Sequence, residues 1–250
     1  MTSFRKTALV GGILYLVTFI GSIPAALLVL PATDPGYVAS TGADQQVTLG
    51  LVLELVNVFA LIGCGIAFFS VIRREHEGLA VGYLATRTFE GVTITIGVLS
   101  LLALVTLRQE GAASGEATSL VPVGSALVAV RQWAMMIGPN MAGFNALMLG
   151  TALYRARLVP RALPALGIIG APILITFVVG TILGLTGPGT LFHGIAVAPF
   201  FIWELVLGLW LTFKGFNENS RIGLAERARL AEQSAAVPSQ SAVAAKAGAA

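Results

Sequence analysis

The sequence predicts an all-α fold: a bundle of six transmembrane helices with both termini in the cytoplasm. Of the 250 residues, 56% are hydrophobic and only 11% are charged, whereas a soluble domain has about 25% charged residues. Six apolar stretches are long enough to cross a bilayer core of about 30 Å, which takes about 20 helical residues. The basic residues between these stretches alternate regularly across the membrane.

Each apolar stretch is bounded by charged or turn-forming residues. The first is longer than the ~7–15 residues of a signal-peptide core, so we interpret it as a retained span. The predicted spans cover residues 8–30, 47–72, 79–107, 132–154, 163–186 and 191–213.

Positive charge is concentrated on one side of the predicted bundle. Twelve Lys and Arg residues lie in the termini and loops of that side, and only Arg108 lies in a loop of the other side. The positive-inside rule therefore predicts a multi-pass protein of the cytoplasmic (inner) membrane, with both termini inside. The net charge of +3 is a topology signal, with contacts to anionic lipid headgroups. It does not indicate nucleic-acid binding, because it is spread over short loops.

Two segments depart from the simple pattern. Joined to span four, residues 119–131 would give about 54 Å of helix, too long for one upright span. We therefore expect a short apolar helix lying at, or dipping into, the outer surface before span four. Residues 1–216 then form the transmembrane domain and 217–250 a cytoplasmic tail. The start of this tail allows a short helix, and its low-complexity end is expected to be disordered.

Charged residues inside the spans are the main functional signal, because each costs about 2.5–3.5 kcal/mol at the bilayer centre on insertion scales. Arg87 and Glu90 are three residues apart and share one helix face. A rise of 1.5 Å per residue places Glu204 in the same layer. One guanidinium can bind two carboxylates, so we expect Arg87 to pair with both.

A second polar group lies nearer the outer surface. Glu54 is inside span two, Asn57 is one turn away and could join its network, and Arg131 lies at or just below the outer surface. Counting Arg131, three acids face two bases, and a surplus carboxylate in a low dielectric should take up a proton. Such a carboxylate suits a proton relay, but it equally suits a static hydrogen bond between helices.

The candidate ligand or proton site is therefore an intramembrane polar cluster. It comprises Arg87, Glu90, Glu204, Glu54, Arg131 and Asn57. A candidate helix break, Gly138, Pro139 and Asn140, could line a binding site or simply kink span four. The spans hold no metal-binding motif, and the chain has no nucleophile-elbow or phosphate-loop motif. We thus expect no metal, no cofactor and no catalytic residues.

Several segments together resemble one protein family. They are "LGLVLELVNVFALIGCGIAFF", "GYLATRTFEGV", "RQWAMMIGP", "ALYRARLVPRALPALGIIG" and "FIWELVLGLWLTFKGF". The chain from about residue 5 to 216 is similar to the prokaryotic integral-membrane family known as domain of unknown function 4386. The resemblance implies six spans and marks Glu54, Arg87, Glu90, Arg131 and Glu204 as the family's polar positions. It implies no activity.

Three functions remain open on the sequence alone. We prefer a structural or accessory membrane protein, in which the polar cluster fixes helix packing. The alternative is proton-linked transport or binding of a small solute, with cations among the candidates, for which six spans suggest a homo-oligomer. A membrane-embedded enzyme that modifies lipid is a remote third: carboxylates can act as acid and base, but the sequence shows no nucleophile or metal set.

The partners we expect are the lipid bilayer and an unidentified small molecule, not nucleic acid.

Overall fold

The computed structural model describes residues 3–236, and those residues contain helices, turns and loops but no strand. The helices are α1 (Ser3–Leu28), α2 (Asp44–Ile72), α3 (Glu77–Ser114), α4 (Val121–Ile137), α5 (142–156), α6 (Ala162–Ile182), α7 (Leu191–Phe213) and α8 (Arg221–Ala236). Within the described range, six helical stretches are long and apolar enough to cross a membrane. This confirms the predicted all-α class with six candidate spans: the protein is a multi-pass membrane protein.

The sequence sets the ends of these helices locally. At the start of α7, the Thr190 side chain accepts a hydrogen bond from the amide of His193, which satisfies a free donor of the first turn. Helix α3 ends at Gly115, whose φ of +75° is a left-handed conformation that glycine adopts without steric cost. Between such ends, intrahelical hydrogen bonds satisfy the backbone, as hydrocarbon requires.

Successive helices pack as neighbours, and the last span closes on the first. Helix α1 packs against α2, α2 against α3 and α3 against α4, while α5, α6 and α7 follow in turn and α7 returns to α1. The α1–α7 crossing is close: a Cβ atom on Gly12 would lie 2.6 Å from the Thr212 backbone nitrogen and 2.9 Å from the Gly208 carbonyl oxygen. Small residues permit such approach between membrane helices, and here it brings side chains of α1 and α7 together at the bundle interior.

Both ends of the transmembrane domain lie at one end of the bundle, which we call the terminal face. The Arg5 guanidinium donates to the carbonyl oxygens of Leu211 and Thr212, at 3.1 and 2.8 Å. Helix α8 docks on this face, where Ile222 is 5% exposed and joins the apolar core. The low-complexity end of the tail, from residue 237 on, falls outside the described residues.

The helix of span four is interrupted at a different place from the one expected on the sequence. Helix α4 is continuous from Val121 to Ile137, so no boundary separates a surface helix from the span at residues 131–132. The interruption comes instead at a 3₁₀ turn, Pro139–Met141, because proline lacks an amide donor and ends the α-helix. Gly124 packs against Leu104 of α3, and Gly97 of α3 packs against Arg131. The segment expected at the outer surface therefore runs antiparallel along α3.

The apolar core has two parts with polar groups between them. One part, on the side of the terminal face, includes Phe68, Tyr83 and Trp203. The other includes Leu51 and Leu101. The charged side chains discussed next lie where these two parts meet, so they are enclosed by apolar packing on both sides.

Candidate functional site

Arg87 is the centre of the first polar group. Its side chain is 1% exposed, and its Nη1 donates to Glu90 Oε2 at 2.9 Å, across one turn of α3. Its Nη2 donates to Glu204 Oε1 of α7 at 2.7 Å. The structure therefore brings the three sequence-predicted residues together, with one guanidinium between two carboxylates.

Two tyrosines complete this group. Arg87 Nη2 donates to the Tyr15 hydroxyl at 2.7 Å, and Arg87 Nε donates to the Tyr83 hydroxyl at 3.2 Å. The guanidinium carbon lies 5.0 and 5.6 Å from the centroids of the two rings, within the range of cation–π attraction. We call Arg87, Glu90, Glu204, Tyr15 and Tyr83 the Arg87 cluster. Because α1, α3 and α7 each contribute to it, the cluster depends on the packing of the whole bundle.

Asn145 connects this cluster to span four. Its Nδ2 donates to Glu90 Oε2 at 2.8 Å, and the Thr86 hydroxyl donates to Asn145 Oδ1 at 2.6 Å. Asn145 is fully buried and directly precedes a π-helical turn, Ala146–Gly150. Such turns are frequent at functional sites, and this one adjoins the residue that supports Glu90.

The second polar group is a simple pair, the Arg131–Glu54 pair. Arg131 Nη1 donates to Glu54 Oε2 at 2.6 Å, and Arg131 Nη2 donates to Glu54 Oε1. The side chains are 5% and 4% exposed. This parallel arrangement uses both carboxylate oxygens and leaves the pair formally neutral.

A cavity of about 160 Å³ lies between the two groups. Glu54, Glu90 and Glu204 all line it, whereas Arg87 and Arg131 are absent from its described lining. The other lining residues are Thr18, Phe19, Ser22, Ala26, Asn57, Leu61, Ile94, Met135 and Pro139. The carboxylates of both groups therefore face one space, and their guanidinium partners stand outside it.

Some oxygen atoms of the lining residues have no hydrogen-bond partner among the described residues. Glu90 receives its bonds at Oε2 and Glu204 at Oε1, which leaves one oxygen of each carboxylate free. Asn57 Oδ1 is a buried oxygen without a partner. A buried polar atom without a protein partner calls for an explanation, such as a bound water or ion or a functional role.

The candidate helix break borders the same cavity. Pro139 lines it, and Gly138 ends α4. Asn140 does not reach the cavity; its side-chain amide donates to the Met136 carbonyl oxygen at 2.7 Å. That bond satisfies a carbonyl at the end of α4. Of the three break residues, one contributes surface to the cavity and one stabilises the break.

Sequence reasoning did not assign Tyr15, Tyr83, Thr86 or Asn145 to the cluster. Tyr83 is four residues before Arg87, so helical spacing alone places it on the same face. Tyr15 carries no comparable signal, because a tyrosine in an apolar span resembles ordinary packing. Among the described residues, no group of three or more His, Cys, Asp or Glu side chains is placed to hold a metal ion.

Comparison with known proteins identifies a family. A family model described as a domain of unknown function (DUF4386) matches residues 10–215 of the chain. The match covers the transmembrane helices and both polar groups, and it confirms the resemblance drawn from the sequence motifs. No curated protein and no solved structure matches the chain.

Proposed function

We propose that this chain, which belongs to the DUF4386 family, binds a small cationic solute in the cavity between the Arg87 cluster and the Arg131–Glu54 pair. The observation that carries the proposal is the composition of the cavity wall. Three carboxylates line it, and no guanidinium does within the described part of the chain. A wall of this kind attracts a positively charged ligand and repels an anion.

The charge balance supports the same ligand class. The Arg131–Glu54 pair is neutral, but in the Arg87 cluster one guanidinium faces two carboxylates. One negative charge is therefore unbalanced when both acids are ionised. A buried charge without a counterion is costly, so a bound cation or a proton stabilises the site.

The unpartnered oxygens support a ligand that donates hydrogen bonds. The free oxygens of Glu90 and Glu204 and the Asn57 oxygen are acceptors, and these residues line the cavity. An ammonium group has only donors, so it complements them. The volume of about 160 Å³ corresponds to about five waters at their liquid volume of ~30 Å³ each. It limits the solute to a compact amine.

Proton coupling follows from competition at the surplus carboxylate. When the cation leaves, a proton replaces it as the neutralising charge, so we propose that solute and proton bind alternately. The side chain of Glu204 is 17% exposed and that of Glu90 is 6% exposed. Glu204 is therefore the better placed of the two to exchange its ligand. Together with the basic loops, this is the basis for proposing a proton-linked solute carrier of the cytoplasmic membrane, with both termini inside.

The test is ligand-dependent thermal stability of the purified protein. We expect ammonium, methylammonium or a related small amine chloride to raise the melting temperature of the wild type at constant ionic strength. The stabilisation should weaken as the pH falls from 8.5 to 4.5, because protons compete for the same carboxylate. Glu204→Gln should fold and lose the response, since it removes the surplus charge.

The matched control is Glu110→Gln, which removes one carboxylate from an exposed position of α3, away from the cavity. It should respond to amines as the wild type does. If no small amine shifts the wild type, or if both variants lose the shift equally, solute binding at this cavity is wrong.

A second candidate function is the structural role preferred on the sequence alone. The observation that favours it is the extensive hydrogen bonding of Arg87, whose three nitrogens all donate to α1, α3 or α7. Such a network joins helices whether or not a solute binds. Under this function, Glu90→Gln and Glu204→Gln lower the melting temperature, and no solute alters it.

A further inference from the structure

A second concave surface lies on the terminal face. It is lined mainly by arginines, unlike the carboxylate-lined cavity. Its volume is about 540 Å³. It is formed where the N-terminal half of α8 meets the α2–α3 turn and the end of α5. The lining residues are Arg74, Glu75, Arg155, Arg221, Ile222, Ala225, Glu226 and Arg229. We call this surface the arginine pocket.

Two buried carboxylates hold the arginines in place. Glu75 is 7% exposed; its Oε2 lies 3.1 Å from Arg221 Nη2 and its Oε1 lies 3.5 Å from Arg155 Nε. Glu226 is 10% exposed and accepts from Arg74 Nη1 at 2.9 Å. The carboxylates therefore lie beneath the guanidinium groups and orient them around one depression.

The pocket keeps an excess of positive charge. Four guanidinium groups and two carboxylates line it, for a formal charge of +2. Arg229 forms no ion pair or hydrogen bond with the described residues, and Arg155 and Arg221 are 57% and 76% exposed. A guanidinium has five N–H donors, so most of the donors in this pocket remain available. The positive end of the α8 dipole adds to the potential, because Arg221 begins that helix.

We infer that the arginine pocket binds a phosphate group. Guanidinium groups match the geometry of phosphate with paired hydrogen bonds, and the excess charge balances a phosphate dianion. The position at the ends of the membrane helices gives that phosphate two sources, the headgroup of an anionic lipid or a soluble phosphate compound. The positive-inside rule requires only that basic residues lie in these loops. It does not account for two buried carboxylates that orient the arginines.

The experiment measures thermal stability and lipid retention of the delipidated full chain. The probes are inorganic phosphate, titrated against chloride at constant ionic strength, and nanodiscs of phosphatidylcholine with or without phosphatidylglycerol. The pocket variant is Arg155→Gln/Arg229→Gln. Both side chains are exposed, so folding should be preserved. The control is Arg161→Gln/Arg227→Gln, which makes the same charge change on the same face outside the pocket.

We expect a saturable rise of the wild-type melting temperature, with apparent affinity at least about tenfold weaker in the pocket variant and unchanged in the control. A rise with inorganic phosphate identifies a soluble phosphate compound as ligand. A rise with phosphatidylglycerol only, with lipid retained in native mass spectrometry, identifies a lipid headgroup. No rise with either probe, or an equal loss in both double variants, overturns the inference.

Discussion

The Arg87 cluster and the Arg131–Glu54 pair both bury guanidinium and carboxylate groups inside the bundle, but the two arrangements balance their charges differently. Arg131 bonds a single carboxylate, that of Glu54, through both carboxylate oxygens, so the pair is closed and neutral. Arg87 bonds two carboxylates through one oxygen of each, so the cluster is open and, when both acids are ionised, has an excess negative charge. The closed pair suffices to hold α2 to α4. The open cluster keeps acceptors that a purely structural contact does not require.

The largest expected effect comes from removing the guanidinium of the open cluster. Arg87→Leu leaves two buried carboxylates without a cation, and breaking a buried ion pair typically costs about 3–5 kcal/mol. Arg131→Leu leaves only one carboxylate and should be less harmful. The measurement is the unfolding free energy, or the melting temperature, of the two variants in the same detergent.

The companion experiment removes both members of the closed pair. Glu54→Leu/Arg131→Leu should recover most of the stability lost in Arg131→Leu, because a buried pair can often be replaced by apolar residues at little cost. Adding Glu90→Gln to Arg87→Leu should recover less, since the tyrosine hydroxyls and Glu204 still lack their partner. Equal recovery in both cases would show that the two groups are energetically alike.

A smaller effect should come from the glycines that let the helices approach. Gly12→Ala places a methyl group 2.6 Å from the Thr212 backbone nitrogen, and overpacking typically costs about 1–3 kcal/mol. Gly97→Ala, beside Arg131, should cost less. Its nearest neighbours at 3.1–3.3 Å are the arginine side chain and an alanine methyl group, so a shift of a few tenths of an ångström relieves the contact, whereas Gly12 faces fixed backbone atoms. Melting temperatures would rank the two, and a larger loss in Gly97→Ala would contradict the α1–α7 crossing as the tighter contact.

The smallest effect concerns the tyrosines, which only the open cluster has. Tyr15→Phe removes the hydroxyl that lies 2.7 Å from Arg87 Nη2 and keeps the ring. A loss of about 1.5 kcal/mol, the low end for a hydrogen bond to a charged group, is expected, because Arg87 Nη2 also donates to Glu204. The matched control is Tyr37→Phe. Tyr37 lies in the segment between α1 and α2, and its hydroxyl donates to Asp44 at the start of α2. Burial raises the pKa of Tyr37 above its ordinary value, so its hydroxyl stays neutral over the pH range of the assay. Only Tyr15→Phe should alter the amine response.

The sequence was sufficient for the parts of this comparison that depend on spacing along one helix. The i, i+3 spacing of Arg87 and Glu90, and the similar depth of Glu204, follow from helical rise alone. The partnership of Glu54 with Arg131 could not be deduced, because it depends on how α4 continues past Arg131 to the break at Pro139. The contact of Asn145 with Glu90 could not be deduced for a related reason: the position of Asn145 depends on that break and on the π turn that follows it.

The order of the charged groups along the chain determines what the membrane encounters during synthesis. Glu90 is synthesised directly after Arg87, one turn further along the same helix, so span three contains the counterion of its own arginine. Arg131 arrives when Glu54 of span two is already in place. Glu204 is made last, in the final span. A nascent chain that stops before α7 therefore holds as many buried acids as bases, and the unbalanced charge exists only once translation has delivered the whole bundle.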